Sequence, residues 1–194
     1  IPKRDWSSDV CSSDLIVGFP GEDTSWFENP TTKGSQWVRH KIFDQTDNES
    51  PTFADITGDG KPELVCITKG QYGYASPDWA APEKPWTFHP ISPNNKYGNF
   101  THGMGIGDIN GDGRADLLEK DGWWEQPESL AGDPVWKFHP QPMGIGGSQM
   151  YAYDVNGDGR NDIITALAAH GFGLAWYEQY REGGEIKFRE HLRS

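Results

Sequence analysis

Apolar positions in this chain come in runs too short for helices. Leu64-Val-Cys-Ile67, Met104-Gly-Ile-Gly107 and Met150-Tyr-Ala-Tyr153 are each closed within a few residues by glycine, proline or aspartate. No long stretch carries the three- and four-residue spacing of an amphipathic helix, so the pattern predicts short strands and many turns. The 24 glycines and 14 prolines punctuate the chain in the same sense. One order of segments recurs. A short strand (Met104 to Gly107, Met150 to Tyr153) enters a polar nine-residue loop, and a second strand leaves it (Leu64 to Ile67, Asp116 to Glu119, Asp162 to Leu167).

Two aromatic motifs complete each period. Trp26-Phe-Glu-Asn-Pro30, Trp123-Trp-Glu-Gln-Pro127 and Trp176-Tyr-Glu-Gln179 predict a third strand, degenerate in the copy near Tyr74 to Trp79. Trp37-Val-Arg-His40, Trp86-Thr-Phe-His89, Trp136-Lys-Phe-His139 and Phe188-Arg-Glu-His191 predict a fourth, at intervals of 49, 50 and 52 residues. Four short strands in about fifty residues predict an all-β fold, a β-propeller of four-stranded blades. Parallel β-solenoids compete, but their coils are shorter and lack a four-strand meander. Complete blades are expected over about 49–90, 100–140 and 148–192, with a partial one over 16–43. Propellers close with four to eight blades, so three complete blades and a partial one are expected to be a fragment, of an intact molecule with on the order of seven.

The loops are Asp55-Ile-Thr-Gly-Asp-Gly-Lys-Pro-Glu63, Asp108-Ile-Asn-Gly-Asp-Gly-Arg-Ala-Asp116 and Asp154-Val-Asn-Gly-Asp-Gly-Arg-Asn-Asp162. Side-chain oxygens at positions 1, 3, 5 and 9, with glycine at 6, suit Ca²⁺, which takes six to eight hard oxygen ligands. The expected ligands are Asp55, Thr57, Asp59 and Glu63; Asp108, Asn110, Asp112 and Asp116; and Asp154, Asn156, Asp158 and Asp162. The carbonyls of Lys61, Arg114 and Arg160 complete the three sets, with their side chains expected to point away. An EF-hand adds a bidentate Glu at position 12, where this chain has Cys66, Glu119 and Thr165. Two of the three fail, which predicts weak, constitutive sites. With Kd near ~10⁻⁴ M and about 1 mM calcium, each site adds about 1.4 kcal/mol and three add about 4, a structural magnitude.

The Asp-x-Asn-Gly-Asp-Gly-x-x-Asp loops resemble the FG-GAP/VCBS repeats of integrin-like propellers. The Trp-x-Glu-Asn-Pro and Trp-x-x-His framework resembles exported bacterial VCBS-repeat proteins. The resemblance covers essentially all of Ile16 to Ser194 and implies a calcium-binding propeller that is secreted or periplasmic.

Asp5-Trp-Ser-Ser-Asp-Val-Cys-Ser-Ser-Asp-Leu15 has no counterpart in the repeats and resembles a translated sequencing-library adapter. Residues 1–15 are therefore set aside as non-native. The net charge of −12 falls largely on the nine loop carboxylates, and three Ca²⁺ would halve it. No Lys/Arg block suggests nucleic acid, and no apolar run approaches the ~18 residues of a membrane span. Cys66 sits alone in an apolar run and reads as a small buried residue.

His40, His89, His139 and His191 recur with the fourth strand and read as framework. His102 and His170 do not recur. The loop joins first strand to second at one face, so the lead-in to the first strand and the exit from the second share the opposite face. His102, His170, Glu49 and Tyr72 are expected there, with Trp124 as a stacking surface. Two histidines in that setting suit a transition metal or an acid–base pair.

Two main functional readings follow. One is a structural or interaction module of an exported protein, with carbohydrate or another protein as partner. The alternative is a carbohydrate lyase or dehydratase, similar to aldos-2-ulose-dehydratase-type propellers, with His102 and His170 as catalytic candidates. Simple sugar binding by exposed Trp79 or Trp124 is a third.

Overall fold

A computed structural model of the chain describes residues 14–30, 32 and 34–193. Most of the segment set aside as non-native, 1–13, lies outside them. Asp14 and Leu15 lie inside: Asp14 Oδ1 accepts the Asn29 N–H at 2.7 Å, and Leu15 pairs with Phe27.

The described residues form four antiparallel sheets, each built from strands consecutive in the chain. The first has three strands: β1 (Leu15–Val17), β2 (Glu22–Glu28) and β3 (Val38–Thr46). The second is β4 (Thr52–Ala54), β5 (Glu63–Thr68), β6 (Gln71–Ser76) and β7 (Thr87–Pro90). The third is β8 (Met104–Gly107), β9 (Asp116–Glu119), β10 (Gly122–Glu125) and β11 (Lys137–Pro140). The fourth is β12 (Met150–Tyr153), β13 (Asp162–Ala166), β14 (Leu174–Glu182) and β15 (Glu185–Arg193). The sheets follow one another along the chain without exchanging strands, and no described helix is long and apolar enough to cross a membrane.

The core lies between sheets. Trp26 and Ile42 of the first sheet pack with Leu64, Cys66 and Ala75 of the second, closed by Trp86. Val65, Ile67, Tyr72 and Tyr74 of the second meet Leu117 and Trp124 of the third, closed by Trp136. Leu118 and Trp123 meet Met150, Ile163, Ala175 and Tyr177 in the last layer. The second strands β5 and β9 are buried along their whole length, as strands covered on both faces must be. Trp86 and Trp136 are buried aromatics that seal a sheet junction, and their backbone N–H groups donate to Ile42 and Ile91 of the preceding repeat.

At one edge the first strands draw together. Met104 pairs in parallel with Gln149, and Asn48 with Thr101. A Cβ on Gly105 would lie 2.0 Å from the Met150 carbonyl oxygen, and one on Gly107 2.4 Å from Ala152 Cβ. Glycine is required at these positions by close backbone approach. The third and fourth sheets are therefore nearly touching at β8 and β12, while large aromatics, Trp123 of β10 and Tyr177 of β14, fill the junction between them elsewhere.

Candidate functional site

The three nine-residue loops share one geometry. Position 1 folds its carboxylate back over the turn. Asp108 Oδ1 accepts the N–H of Gly111 at 2.7 Å and its Oδ2 that of Gly113 at 2.9 Å. Asp55 and Asp154 make the same pair of bonds to Gly58 and Gly60 and to Gly157 and Gly159. The glycines at positions 4 and 6 all have φ between +77° and +85° with open space at Cβ, so glycine is needed there for conformation.

Position 9 is the buried anchor. Asp116 and Asp162 are fully buried, and Glu63 nearly so. Each accepts the N–H of position 2, from Ile56, Ile109 or Val155. Burial pushes the Asp116 carboxyl up to about 7; the N–H groups of Gln126 and Ile109 oppose this, and the charges of Asp112 and Asp108 add to it. Burial likewise pushes Glu63 up to about 7, against the N–H groups of Ile56 and Thr57 and with repulsion from Asp59 and Asp55. Positions 1, 5 and 9 thus crowd their charge together, a donor set of hard oxygens that a divalent cation fits.

One expectation fails here. The side chains of Arg114 and Arg160 do not point away: each guanidinium Nη2 bonds the position-5 carboxylate, Asp112 Oδ2 or Asp158 Oδ2. Arg114 Nε also donates to the Gln126 carbonyl at 3.1 Å. The cause is local, since a guanidinium two residues from a crowded carboxylate reaches it easily and pairs strongly with it.

A junction residue went unnoticed in the sequence. Gln126 Nε2 donates to the carbonyls of Ile56 at 2.5 Å and Ala115 at 3.1 Å. Gln179 Nε2 donates to Ile109 at 2.9 Å and Asn161 at 2.7 Å. Their own N–H groups donate to Asp116 and Asp162. Each glutamine therefore ties its own loop to the loop of the preceding repeat. The signal was its recurrence directly after Trp-x-Glu.

The recurring histidines are framework. His40, His139 and His191 stack on Trp26, Trp123 and Trp176 with ring centroids 4.2, 4.0 and 4.4 Å apart. Each bonds the Glu of the same motif, Glu28, Glu125 or Glu178. In the second sheet the motif has lost its Glu. His89 stacks on Tyr74 and takes its carboxylate from Asp133 of the next repeat, at 2.7 Å.

His102 and His170 are brought together. Their ring centroids lie 5.0 Å apart at 79°, and Glu49 Oε2 lies 3.4 Å from His102 Nδ1. Other expectations for this face are corrected. Tyr72 is fully buried between the second and third sheets, against Tyr97. Trp124 is also buried, its ring tilted against Phe138 and its Nε1 donating to Glu119 at 2.9 Å, so it offers no surface to a sugar. Both are apolar rings on strands flanked by two sheets, where burial dominates. Glu119 itself, bonded by Tyr97 and Trp124, is buried and its carboxyl is raised by that burial. A cleft of about 610 Å³ lies elsewhere, between the outer strands of the third and fourth sheets, near Glu125, Lys137 and Arg181.

No protein-family model matches the chain, and no curated protein matches it. Among solved structures, the V. cholerae biofilm matrix protein Bap1 aligns with a TM-score of 0.39 and 13% identity, over 87% of this chain. The chain spans about a third of that protein's length, 35%.

Proposed function

We propose that the chain is part of a calcium-stabilised β-propeller of the FG-GAP/VCBS type that serves as a structural or interaction module of an exported protein. The observation that carries the reading is the gathering of carboxylates at positions 1, 5 and 9 of Asp55–Glu63 and Asp108–Asp116, where burial, with added repulsion from the loop aspartates, pushes the anchors Glu63 and Asp116 up to about 7. Consecutive antiparallel meanders, with the first strands β8 and β12 in close glycine contact, support a radial arrangement of blades. Location and partners, carbohydrate or protein, rest on the sequence resemblance alone. The test is calcium stoichiometry by calorimetry. Three ions per chain are expected, falling to two in Asp108→Asn with Asp112→Asn; zero in the unaltered chain would refute the reading.

One observation favours a carbohydrate lyase or dehydratase as a second reading: two rings from different sheets, His102 and His170, meet beside a carboxylate. An oligosaccharide screen tests it. Unsaturated or dehydrated product that vanishes in His170→Ala supports an enzyme, and product unaffected by that change removes these residues from it.

A further inference from the structure

We propose that Glu49, His102 and His170 form a second, chemically different metal centre, one that takes a divalent transition ion of the zinc class. It is independent of the calcium loops and lies on segments away from them.

Three backbone ties bring the ligands together. Glu49 follows Asn48, whose parallel bridge to Thr101 sets it beside His102. Gly146 lies against His102, where an added Cβ would stand 3.0 Å from the His102 carbonyl oxygen. Gly146 is also bridged to Ala168, and its carbonyl accepts the Ala169 N–H at 2.8 Å, which places the turn carrying His170 over the same spot. The lead-in segments of the second and third sheets and the β13–β14 turn of the fourth thus converge, each contributing one side chain.

The Glu49 end is held firmly. Asn48 Oδ1 accepts the Ile67 N–H at 2.8 Å, Asp47 Oδ2 that of Lys69 at 2.7 Å, and the Asp47 carbonyl that of Phe100 at 2.7 Å. Both residues are buried. These bonds fix the backbone from which Glu49 projects.

One ligand atom from each of the three residues lies within 4.8 Å of the others. Tetrahedral zinc with bonds of ~2.0–2.2 Å separates its ligands by about 3.4 Å. The contraction needed is about 1.4 Å, within reach of side-chain rotation, because Glu49 and His170 are exposed. The His102 Nδ1 atom is buried and lacks a hydrogen-bond partner, although it faces the Glu49 carboxylate; a buried polar atom without a partner is costly unless something completes it. Two imidazoles and one carboxylate are the donor set of open zinc sites, whose fourth position is left to water or a ligand oxygen. Calcium, with its demand for six or more oxygens, fits this set poorly.

The experiment titrates the full chain with Zn²⁺ in about 1 mM calcium, which keeps the loops supplied, and uses Co²⁺ as a spectroscopic substitute. The unaltered chain should bind one zinc and give ligand-field bands with cobalt. Glu49→Gln and His170→Ala change exposed side chains, so circular dichroism should show both folded. Each should weaken zinc by ~100-fold or more, the upper end of what even a supporting partner's loss costs, and His170→Ala should lose the cobalt bands. Absence of zinc binding at about micromolar concentration, or binding undiminished in both variants, would overturn the proposal.

Discussion

Replacing Gln179 by glutamate changes almost nothing in shape and reverses the chemistry of the junction between repeats. In the native chain one NH₂ group serves two carbonyls, Ile109 and Asn161, in a site that is 1% exposed. A carboxylate donates to neither and repels both, and it stands close to Asp162, which already holds the residue's own N–H. Each of the two carbonyls left unpaired costs roughly 1–3 kcal/mol. The change should cost about 3–5 kcal/mol, a large part of a domain's usual 5–15 kcal/mol. Urea denaturation followed by tryptophan fluorescence measures it. Because the new carboxyl is buried it should take up a proton as pH falls, regain one donor, and recover part of the loss. Gln126→Glu should behave alike, through Ile56 and Ala115. A Gln179→Glu protein within about 0.5 kcal/mol of the parent at neutral pH would show that these junctions are held by apolar contact alone.

Without calcium, Glu63 and Asp116 stand at about 7 in the folded chain, against about 4 when unfolded. The folded state then holds their protons more tightly, so in EDTA the stability they contribute is full below about pH 4 and is lost as pH rises through about 7. Melting temperatures from pH 5 to 8 should fall in EDTA and fall less in calcium. Gly105→Ala should cost about 3 kcal/mol or more, since the methyl would meet the Met150 backbone at 2.0 Å; chemical denaturation checks this, and a neutral result would contradict the close approach of β8 and β12. His139→Ala should cost about 1–2 kcal/mol through its lost stack and its bond to Glu125, while Asp133→Ala, at a more exposed pair, should cost no more than about 1.

The strands were legible because apolar runs and turn residues alternate on a fixed period. Met104–Gly107 and Asp116–Glu119 fall where the pattern puts them. His102 and His170 could be assigned to one face from connectivity alone, since a loop between two strands fixes where their other ends lie. What the pattern hides is contact between repeats. The exchange of Glu for Asp133 at His89, and the reach of Gln126 to Ile56, both span distances that no local period encodes. Tyr72 and Trp124 failed as surface residues for a related reason: a motif position says which end of a strand a ring occupies, while burial depends on the neighbouring sheet. Arg114 and Arg160 turned back to their loops because local charge outweighs exposure.

Calcium in the three loops is proposed to hold these sheets together. Scanning calorimetry of the chain against free calcium tests it directly. The melting temperature should rise steadily with calcium and drop on EDTA by the equivalent of about 4 kcal/mol near 1 mM. A melting temperature indifferent to EDTA would contradict the account.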